Sequence, residues 1–332
     1  MQFSVIIPVY NRPDEVRDLL GSLLSQTNRD FEVVIVEDGS TNRCSQQCDE
    51  ARSQGLDVKY YFKDNEGRSI ARNYGMERAC GEYFVFFDSD CVIPPGYFET
   101  VGKALKEHPL DCYGGPDAAH ESFTTTQKAI NYTMTSFLTT GGIRGGKIAL
   151  EKFTPRTFNM GFSRKVYETV GGFREMFSED IDMSKRIARA GFSTGLLADA
   201  PVWHKRRVDF RKFLRQVYVF GMSRITLKLL YPESLKAVHM LPAAALVAAL
   251  ALVLLGIFAS PWWLLPIGVY LVAVFVLACA ATRSLVIALK AVPAAVIQIG
   301  GYGAGFIRAY VTKILLGRGR DINQEIEMRR GK

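Results

Sequence analysis

The sequence predicts an α/β fold with a mostly parallel, doubly wound sheet, followed by C-terminal transmembrane helices. Three observations carry this. Strand-like apolar runs alternate with helix-periodic stretches through the first part of the chain. Two acids, Asp88 and Asp90, stand just beyond the apolar run Tyr83-Phe84-Val85-Phe86-Phe87. That is the carboxyl end of a buried strand, where parallel sheets bind their ligands. Finally, no Asp, Glu, Lys or Arg occurs in the 43 residues from Met240 to Thr282, which leaves room for two helices of about 20 residues each across a bilayer.

The elements follow in order. Phe3 to Tyr10 is a first strand, apolar on both faces. Asp14 to Ser25 carries Val16, Leu19, Leu20, Leu23 and Leu24 at helical spacing. Phe31 to Val36 is a second buried strand that runs into the turn sequence Glu37-Asp38-Gly39-Ser40. Val58 to Phe62 is a short third strand. Gly67 to Ala79 reads as a helix with Arg68 and Arg72 one turn apart on one face. The strand before Asp88 comes next. Thr124 to Thr140 reads as a helix, and Gly141-Gly142-Ile143-Arg144-Gly145-Gly146 as an acceptor-side lid or a long surface loop. Lys165 to Val170 is a helix stopped by Gly171-Gly172-Phe173. Ser178 is placed to cap the next helix and Gly191 to end it.

Asp209 is placed to cap a helix running to Leu230, with Phe210, Phe213, Leu214, Val217 and Gly221 on one side, the pattern of a helix lying in a membrane interface. Val238 to Phe258 and Trp262 to Ala281 read as two transmembrane helices, with Trp262 and Trp263 at an interface. Cations flank both outer ends, which predicts that the N-terminal domain and residue 283 onward are cytosolic. Ala291 to Ile307 is also uncharged, but has 17 residues and four glycines. The tail after it carries seven Lys and Arg against three acids. A third span would export those cations, so an interfacial or re-entrant segment is expected there.

The chain has 332 residues, a 48% hydrophobic composition and a net charge of +8. Lys205 to Lys236 holds nine Lys and Arg against two acids, directly before the apolar stretch. This position points to anionic lipid head groups. A nucleic-acid partner is not expected, because it would need basic residues and stacking aromatics spread over an exposed face. The six cysteines show no paired metal-type spacing, which disfavours a zinc site. The N-terminal run opens directly as a strand without a basic leader, so the large domain is expected in the cytosol with its thiols reduced. No Gly-x-Gly-x-x-Gly follows the first strand, which disfavours a dinucleotide fold.

Several residues point to chemistry. The paired oxygens of Asp88 and Asp90 suit Mg²⁺ or Mn²⁺, which commonly bridges to phosphate oxygens; the plain alternative is a solvated acidic turn. Asp38 is placed either to accept a hydrogen bond from a nucleobase N–H or to cap its own turn. Asp180 lies in a first helical turn, where the dipole favours the ionised carboxylate that a general base requires. Acids are also common in first turns, and Glu179 and Asp182 fit that plainer reading. His204 suits a metal, or lipid phosphate alongside Lys205-Arg206-Arg207.

Four stretches together resemble the family 2 glycosyltransferases: Ser4-Val5-Ile6-Ile7-Pro8-Val9-Tyr10-Asn11-Arg12, Val36-Glu37-Asp38-Gly39-Ser40, Asn65-Glu66-Gly67-Arg68-Ser69-Ile70-Ala71-Arg72-Asn73 and Asp88-Ser89-Asp90. The resemblance covers about the first 230 residues. It implies the GT-A fold, a nucleotide-binding domain that transfers a sugar from a nucleotide donor with inversion. It implies that Pro8, Tyr10 and Asp38 hold the base, with Asn11 and Arg12 in the same nucleotide-binding set. Arg68 would lie near the diphosphate. Asp88 would face the ribose and the metal, and Asp90 would be the main ligand of Mn²⁺ or Mg²⁺, with His204 reaching the metal or the leaving phosphate. Asp180 would be the base, with Gly171, Gly172, Phe173 and Glu179 on the acceptor side. Glu37 departs from a position that is often Asp in the family, which leaves Asp38 as the stronger candidate.

The organisation expected is a GT-A domain over 1–207, an interfacial helix over 208–236, two transmembrane helices over 237–282, and a membrane-associated or re-entrant segment with a basic cytosolic tail over 283–332. The expected reaction extends a polyprenyl-diphosphate-linked saccharide at the cytosolic face of the inner membrane, from a UDP-sugar because that donor is common in the family. One rival is a polyprenyl-phosphate glycosyltransferase; such relatives usually lack a Glu-Asp base motif. A processive synthase is disfavoured because Gln216 is followed by Val217, Tyr218, Val219 and Phe220 rather than the Gln-x-x-Arg-Trp pattern. The rival of another class is a non-catalytic, membrane-tethered sugar-nucleotide-binding scaffold, against which Asp88, Asp90 and Asp180 argue.

Overall fold

The computed structural model describes residues 3–118, 123–140, 153–204 and 209–319. The glycine-rich stretch Gly141–Gly146, the cations Lys205, Arg206 and Arg207, and the basic tail from residue 320 lie outside these. The chain forms two compact units, Met1–His120 with Phe153–Lys205, and Glu121–Lys152 with Arg206–Gly331.

The first unit begins with β1 (Phe3–Val9), α1 (Pro13–Leu24), β2 (Phe31–Asp38), α2 (Ser45–Ser53), β3 (Val58–Lys63), α3 (Arg68–Arg78) and β4 (Tyr83–Phe86). Then come β5 (Cys91–Val92), α4 (Tyr97–Glu107), β6 (Cys112–Gly114) and β7 (Asp117–Ala118). The chain leaves this unit for α5 (Thr125–Thr135) and α6 (Phe137–Thr140). It continues in the first unit with β8 (Met160–Ser163), α7 (Arg164–Val170), α8 (Glu179–Arg189), β9 (Thr194–Leu196) and β10 (Val202–His204).

The main sheet has the order β3-β2-β1-β4-β8-β6-β9. β3, β2, β1 and β4 are parallel, as the alternation of strand and helix demands. β8 alone runs antiparallel to both its neighbours, and β9 is parallel to β6. Both faces are covered. Val16, Leu19, Leu20 and Leu23 of α1 pack on one face together with Phe98 and Val101 of α4; burial of each such aliphatic side chain is worth about 1.5–3 kcal/mol. Ala71 and Met76 of α3, Val166 of α7 and Met183 and Ile187 of α8 pack on the other. β5, β10 and β7 form a second, three-stranded sheet.

The second unit holds α5, α6, α9 (Phe210–Leu230), α10 (Ala237–Phe258), α11 (Leu265–Thr282) and α12 (Leu285–Ala309), the last continuing as a π turn to Leu315. Asp209 caps α9 as expected, its side chain accepting from Lys212 N at 2.7 Å. The expected helix over 124–140 is broken at Ser136, whose backbone is extended at ψ 139°.

α9 buries Phe213, Val217, Gly221, Ile225 and Leu227, and it packs closely on α12. A Cβ on Gly305 of α12 would come within 2.0 Å of the Tyr218 carbonyl oxygen, and one on Gly221 within 2.1 Å of that of Tyr302. Gly301 and Gly305 are thus where α12 meets α9, and Gly303 where it meets α10. The segment Ala291–Ile307 forms no re-entrant break; it lies inside one continuous helix. Among the described residues three helices, Ala237–Phe258, Pro261–Thr282 and Leu285–Leu315, are long and apolar enough to cross a membrane. The third is 39% buried over its apolar window, against 6% and 11% for the others, because α9, α10, α11 and α5 all pack on it.

Candidate active site

The site gathers where β1, β2 and β4 end. Tyr10, just past β1, is 53% exposed, and Pro8 is half-buried. Asn11 takes a left-handed conformation at φ 53°, which Asn tolerates better than bulkier residues. Its Oδ1 accepts from Thr41 N and Asn42 N, each at 2.9 Å, and its own N–H donates to Ser40 Oγ at 2.8 Å. Asn11 therefore fastens the loop after β1 to the loop after β2.

Asp38 is also engaged within the chain. One carboxylate oxygen accepts from Lys63 Nζ at 2.9 Å and Glu66 N at 3.0 Å; the other accepts from Gly67 N at 2.9 Å. Asp38 thus ties the loop 64–67, which brings two backbone donors to it, to the end of β2. Gly67 must be glycine: its φ is 106°, and a Cβ would meet the Glu175 carboxylate at 2.7 Å. Glu175 Oε2 accepts from Ser69 N at 3.2 Å and so serves the first turn of α3.

A buried ion-pair network crosses the site. Arg72, 1% exposed, donates from one nitrogen to Asp88 Oδ1 at 2.8 Å and from another to Glu179 Oε1 at 2.9 Å. Arg68 donates to Glu179 Oε2 at 2.7 Å. Burial pushes the Glu179 carboxyl upward, against the pull of Arg68 and Arg72. Glu179, 2% exposed, is a partner of both arginines, and Arg72 engages one oxygen of Asp88.

Asp90 and His204 come together through the second sheet. β10 pairs with β5 so that His204 stands opposite Cys91, and β10 lies beside β7. His204 Nε2 is then 3.2 Å from Asp90 Oδ1, and its Nδ1 is 3.9 Å from Asp117 Oδ2. The His204 ring stacks on Phe158 with centroids 5.0 Å apart. Burial alone would lower the His204 pKa, but the carboxylates of Asp90 and Asp117 outweigh it and raise it to about 10. Arg12, at 2.9 Å, pairs with the other oxygen of Asp90. Arg12 thus lies at the metal-ligand end of the site.

Among the described residues, Asp90, Cys91 and His204 form a group able to hold a metal ion, with ligand atoms within 4.8 Å of one another. The donor chemistry selects within it. Burial pushes the Cys91 thiol well up, and it donates to the Phe158 carbonyl oxygen at 3.6 Å. A hard cation such as Mn²⁺, with phosphate and water completing its shell, would take the Asp90 carboxylate and the neutral His204 imidazole ahead of the sulfur.

Asp180 is in the first turn of α8. Its Oδ2 is 3.5 Å from an Arg156 nitrogen, and its Oδ1 accepts from Ile181 N at 2.8 Å. Ser178, before the helix, is left-handed at φ 65°, and its side chain does not cap the helix; its carbonyl accepts from Ile181 N and Asp182 N instead. Gly171 ends α7 at φ 79° and Gly191 follows α8 at φ 82°. Gly172 packs on Asn73, whose side chain donates to the Phe173 carbonyl and accepts from the Phe173 N–H. Phe173 is 2% exposed and lies edge-on to Phe86 at 5.1 Å. Phe173 is therefore packed in the core of this unit.

The sequence reading did not single out Arg72 as a bridge, nor Glu175, Asn73, Asp117 or Arg156. Arg72 and Asn73 stand in the third motif, so a signal existed for them. Asp117 and Arg156 lie in stretches with no pattern to mark them.

The sequence model of glycosyl transferase family 2 matches residues 4–171. Glycosyltransferase GlyA of Streptococcus pneumoniae is 37% identical over 110 residues, 33% of this chain and 16% of that protein. The uncharacterized glycosyltransferase YibD of Escherichia coli is 36% identical over 110 residues, 33% of this chain and 32% of that protein. The matched stretch thus spans a third or less of either relative. Among solved structures, the mannosyltransferase PcManGT of Pyrobaculum calidifontis, in complex with GDP-Man and Mn²⁺, superposes with a TM-score of 0.57 at 18% identity. The superposition covers 94% of this chain and 88% of that one, and it shows a shared GT-A fold. With its first motif at Ser4 and the family match running to Gly171 over half its length, the chain belongs to glycosyl transferase family 2.

Proposed function

We propose that the protein transfers a sugar, with inversion, from a nucleotide-sugar donor to a hydroxyl of a lipid-linked saccharide at the cytosolic face of a membrane. The observation that carries the chemical part is the bridge from Asp88 through Arg72 to Glu179, the neighbour of Asp180. It ties the strand end that bears Asp90 to the helix turn that bears the candidate base. PcManGT, which shares the fold, is complexed with GDP-Man and Mn²⁺, which supports a nucleotide-sugar donor and a divalent cation here.

Asp90 and His204 would hold the cation. When bound, it supplies positive charge against the leaving diphosphate. Tyr10, exposed beyond β1, offers its ring to the base, and Arg68 adds a cation close to the candidate base. The Asp180 carboxylate takes the acceptor's hydroxyl proton as that oxygen forms its bond to the anomeric carbon. The bond from that carbon to the diphosphate breaks on the opposite face, so the configuration inverts. A single base suffices; no carboxylate nucleophile is needed. The apolar helices α10 and α11, with cations beyond their outer ends, support a membrane location with the first unit on the cytosolic side.

The test is release of nucleoside diphosphate by the full chain in detergent, with UDP- or GDP-sugars, membrane-lipid extract, and Mn²⁺, Mg²⁺ or chelator. Release with one donor is expected, abolished by chelation and by Asp90→Ala. Asp180→Asn should lower it by about 10²–10⁴-fold. Release that survives Asp180→Asn would remove that residue as base and favour a phosphate acceptor. Nucleotide binding without turnover on any acceptor would favour a scaffold.

A further inference from the structure

The stretch Thr124–Thr140 interrupts the first unit in sequence yet belongs to the second. Within that unit α5 packs chiefly on α12 and touches α11 through a shared apolar cluster. Ala129 shares an apolar cluster with Ala278, Ile287, Ala288 and Ala291, and Tyr132 joins it beside Phe275 and Cys279. Further along, the Leu138 carbonyl accepts from Tyr270 Oη at 3.4 Å. At the other end, Lys290 Nζ donates to Thr125 Oγ1 at 2.6 Å and Thr126 Oγ1 at 3.0 Å. From Cys279 to Tyr270 a helix rises about 14 Å, close to half of a hydrocarbon core of about 30 Å. The stretch therefore reaches the depth of whatever solvent surrounds α11.

Its polar groups are arranged for a medium without water. The break at Ser136 leaves the last carbonyls of α5 without helical donors. The Thr139 hydroxyl donates to the Thr133 carbonyl, and the Thr140 hydroxyl to the Met134 carbonyl at 3.2 Å. Inside α5, Thr133 and Thr135 donate back to the carbonyls of Ala129 at 3.0 Å and Asn131 at 2.9 Å. Broken backbone is tolerated at membrane depth only where such internal donors replace water. Phe137 and Leu138 are left 58% and 37% exposed, and Val269 and Val272, on either side of Tyr270 in α11, are exposed too.

We propose that Thr124–Thr140 is a re-entrant membrane element, entering the bilayer against α12 and α11 and presenting Phe137 and Leu138 to lipid hydrocarbon. It rests on the membrane reading of α11. It means that the stretch of chain between Asp90 and Asp180 samples the bilayer directly, where a lipid-linked acceptor would be met.

The test uses the full chain in phosphatidylethanolamine–phosphatidylglycerol nanodiscs, with Cys80→Ser and Cys279→Ser to remove the thiols that are not buried. A nitroxide is attached in turn at Leu138→Cys, Phe137→Cys, Thr125→Cys and Val272→Cys, and its collisions with oxygen and with a water-soluble nickel complex are compared. Oxygen should dominate at Leu138, Phe137 and Val272, and the ratio should reverse at Thr125. Nickel-dominated collisions at Leu138 and Phe137 with oxygen still favoured at Val272 would overturn the re-entrant element alone. Nickel-dominated collisions at Val272 as well would overturn the membrane reading beneath it. Two adjacent tip sites are labelled so that misfolding of one variant leaves the other to decide.

Discussion

Arg72 is fully buried and holds two carboxylates from elements far apart in the sequence. Removing a partner from such a network leaves an uncompensated buried charge, which costs about 3–5 kcal/mol. Glu179→Ala should therefore destabilise the first unit by about that amount, read as a shift in its denaturation midpoint. A change below about 1 kcal/mol would mean the arginines find water or another acid, as exposed pairs do. The same residues explain what the sequence could and could not disclose. Asp90 and His204 were legible because a strand end and a short terminal strand fix where they point. Asn11, Asp38, Glu179 and Phe173 sit in the same motifs but take internal partners. Those partners, Thr41, Lys63, Arg72 and Phe86, come from other elements, and a linear reading has no means to pair them.

Glu32 of β2 shows how one side chain can tie several strands. Its Oε1 accepts from Ser4 Oγ of β1 at 2.6 Å and from the N–H groups of Cys80 and Gly81 before β4. Its Oε2 lies 2.6 Å from Lys59 Nζ of β3. Burial raises its pKa, but these partners outweigh burial and hold it below the usual carboxylate value. The unfolded chain thus takes up this proton at a higher pH than the folded one. The contribution is present above the ordinary carboxyl pKa of about 4.3 and is lost as the pH falls through the depressed value. Glu32→Gln should flatten the loss of stability on the acid side of that pKa, measured by denaturant titration at stepped pH; an unchanged slope would contradict this. Among helices, α9 and α12 meet backbone to backbone. Gly305→Ala should cost about 1–3 kcal/mol by forcing the helices apart, seen as a lower Tm in detergent. Gly300→Ala, where nothing lies within 4 Å of the new Cβ, is the control that should leave Tm unchanged. At this scale the sequence disclosed β1, α1, β2, β3, α3 and β4 within a residue or two, since each has a clean apolar period. α2 has no apolar stripe, only Cys48 and Ala51 buried beside Gln47, so nothing in its pattern announces it. The pairing of α9 with α12 was hidden because glycines read as helix weakeners until a second helix is laid against them.

The whole molecule consists of two units with different solvents around them. The first has its own two-faced apolar core, and denaturant dissolves such a core by solvating apolar and peptide groups alike. The second is dominated by apolar helices whose backbone bonds are internal, and detergent shields them. Unfolding in guanidinium should therefore not be two-state. Nature supplies the probes: Trp203 lies in β10 of the first unit, and Trp262 and Trp263 lie in the turn before α11 in the second. In a Trp262→Phe/Trp263→Phe variant the fluorescence follows the first unit alone, and in Trp203→Phe it follows the second. The first variant should report the lower midpoint, while helical circular dichroism persists past it. Adding a divalent cation with nucleoside diphosphate should raise the Trp203 midpoint and leave the other in place, by about 2.7 kcal/mol at a hundredfold excess over Kd. Coincident midpoints in both variants would mean that the units unfold as one. The cation would then shift both probes.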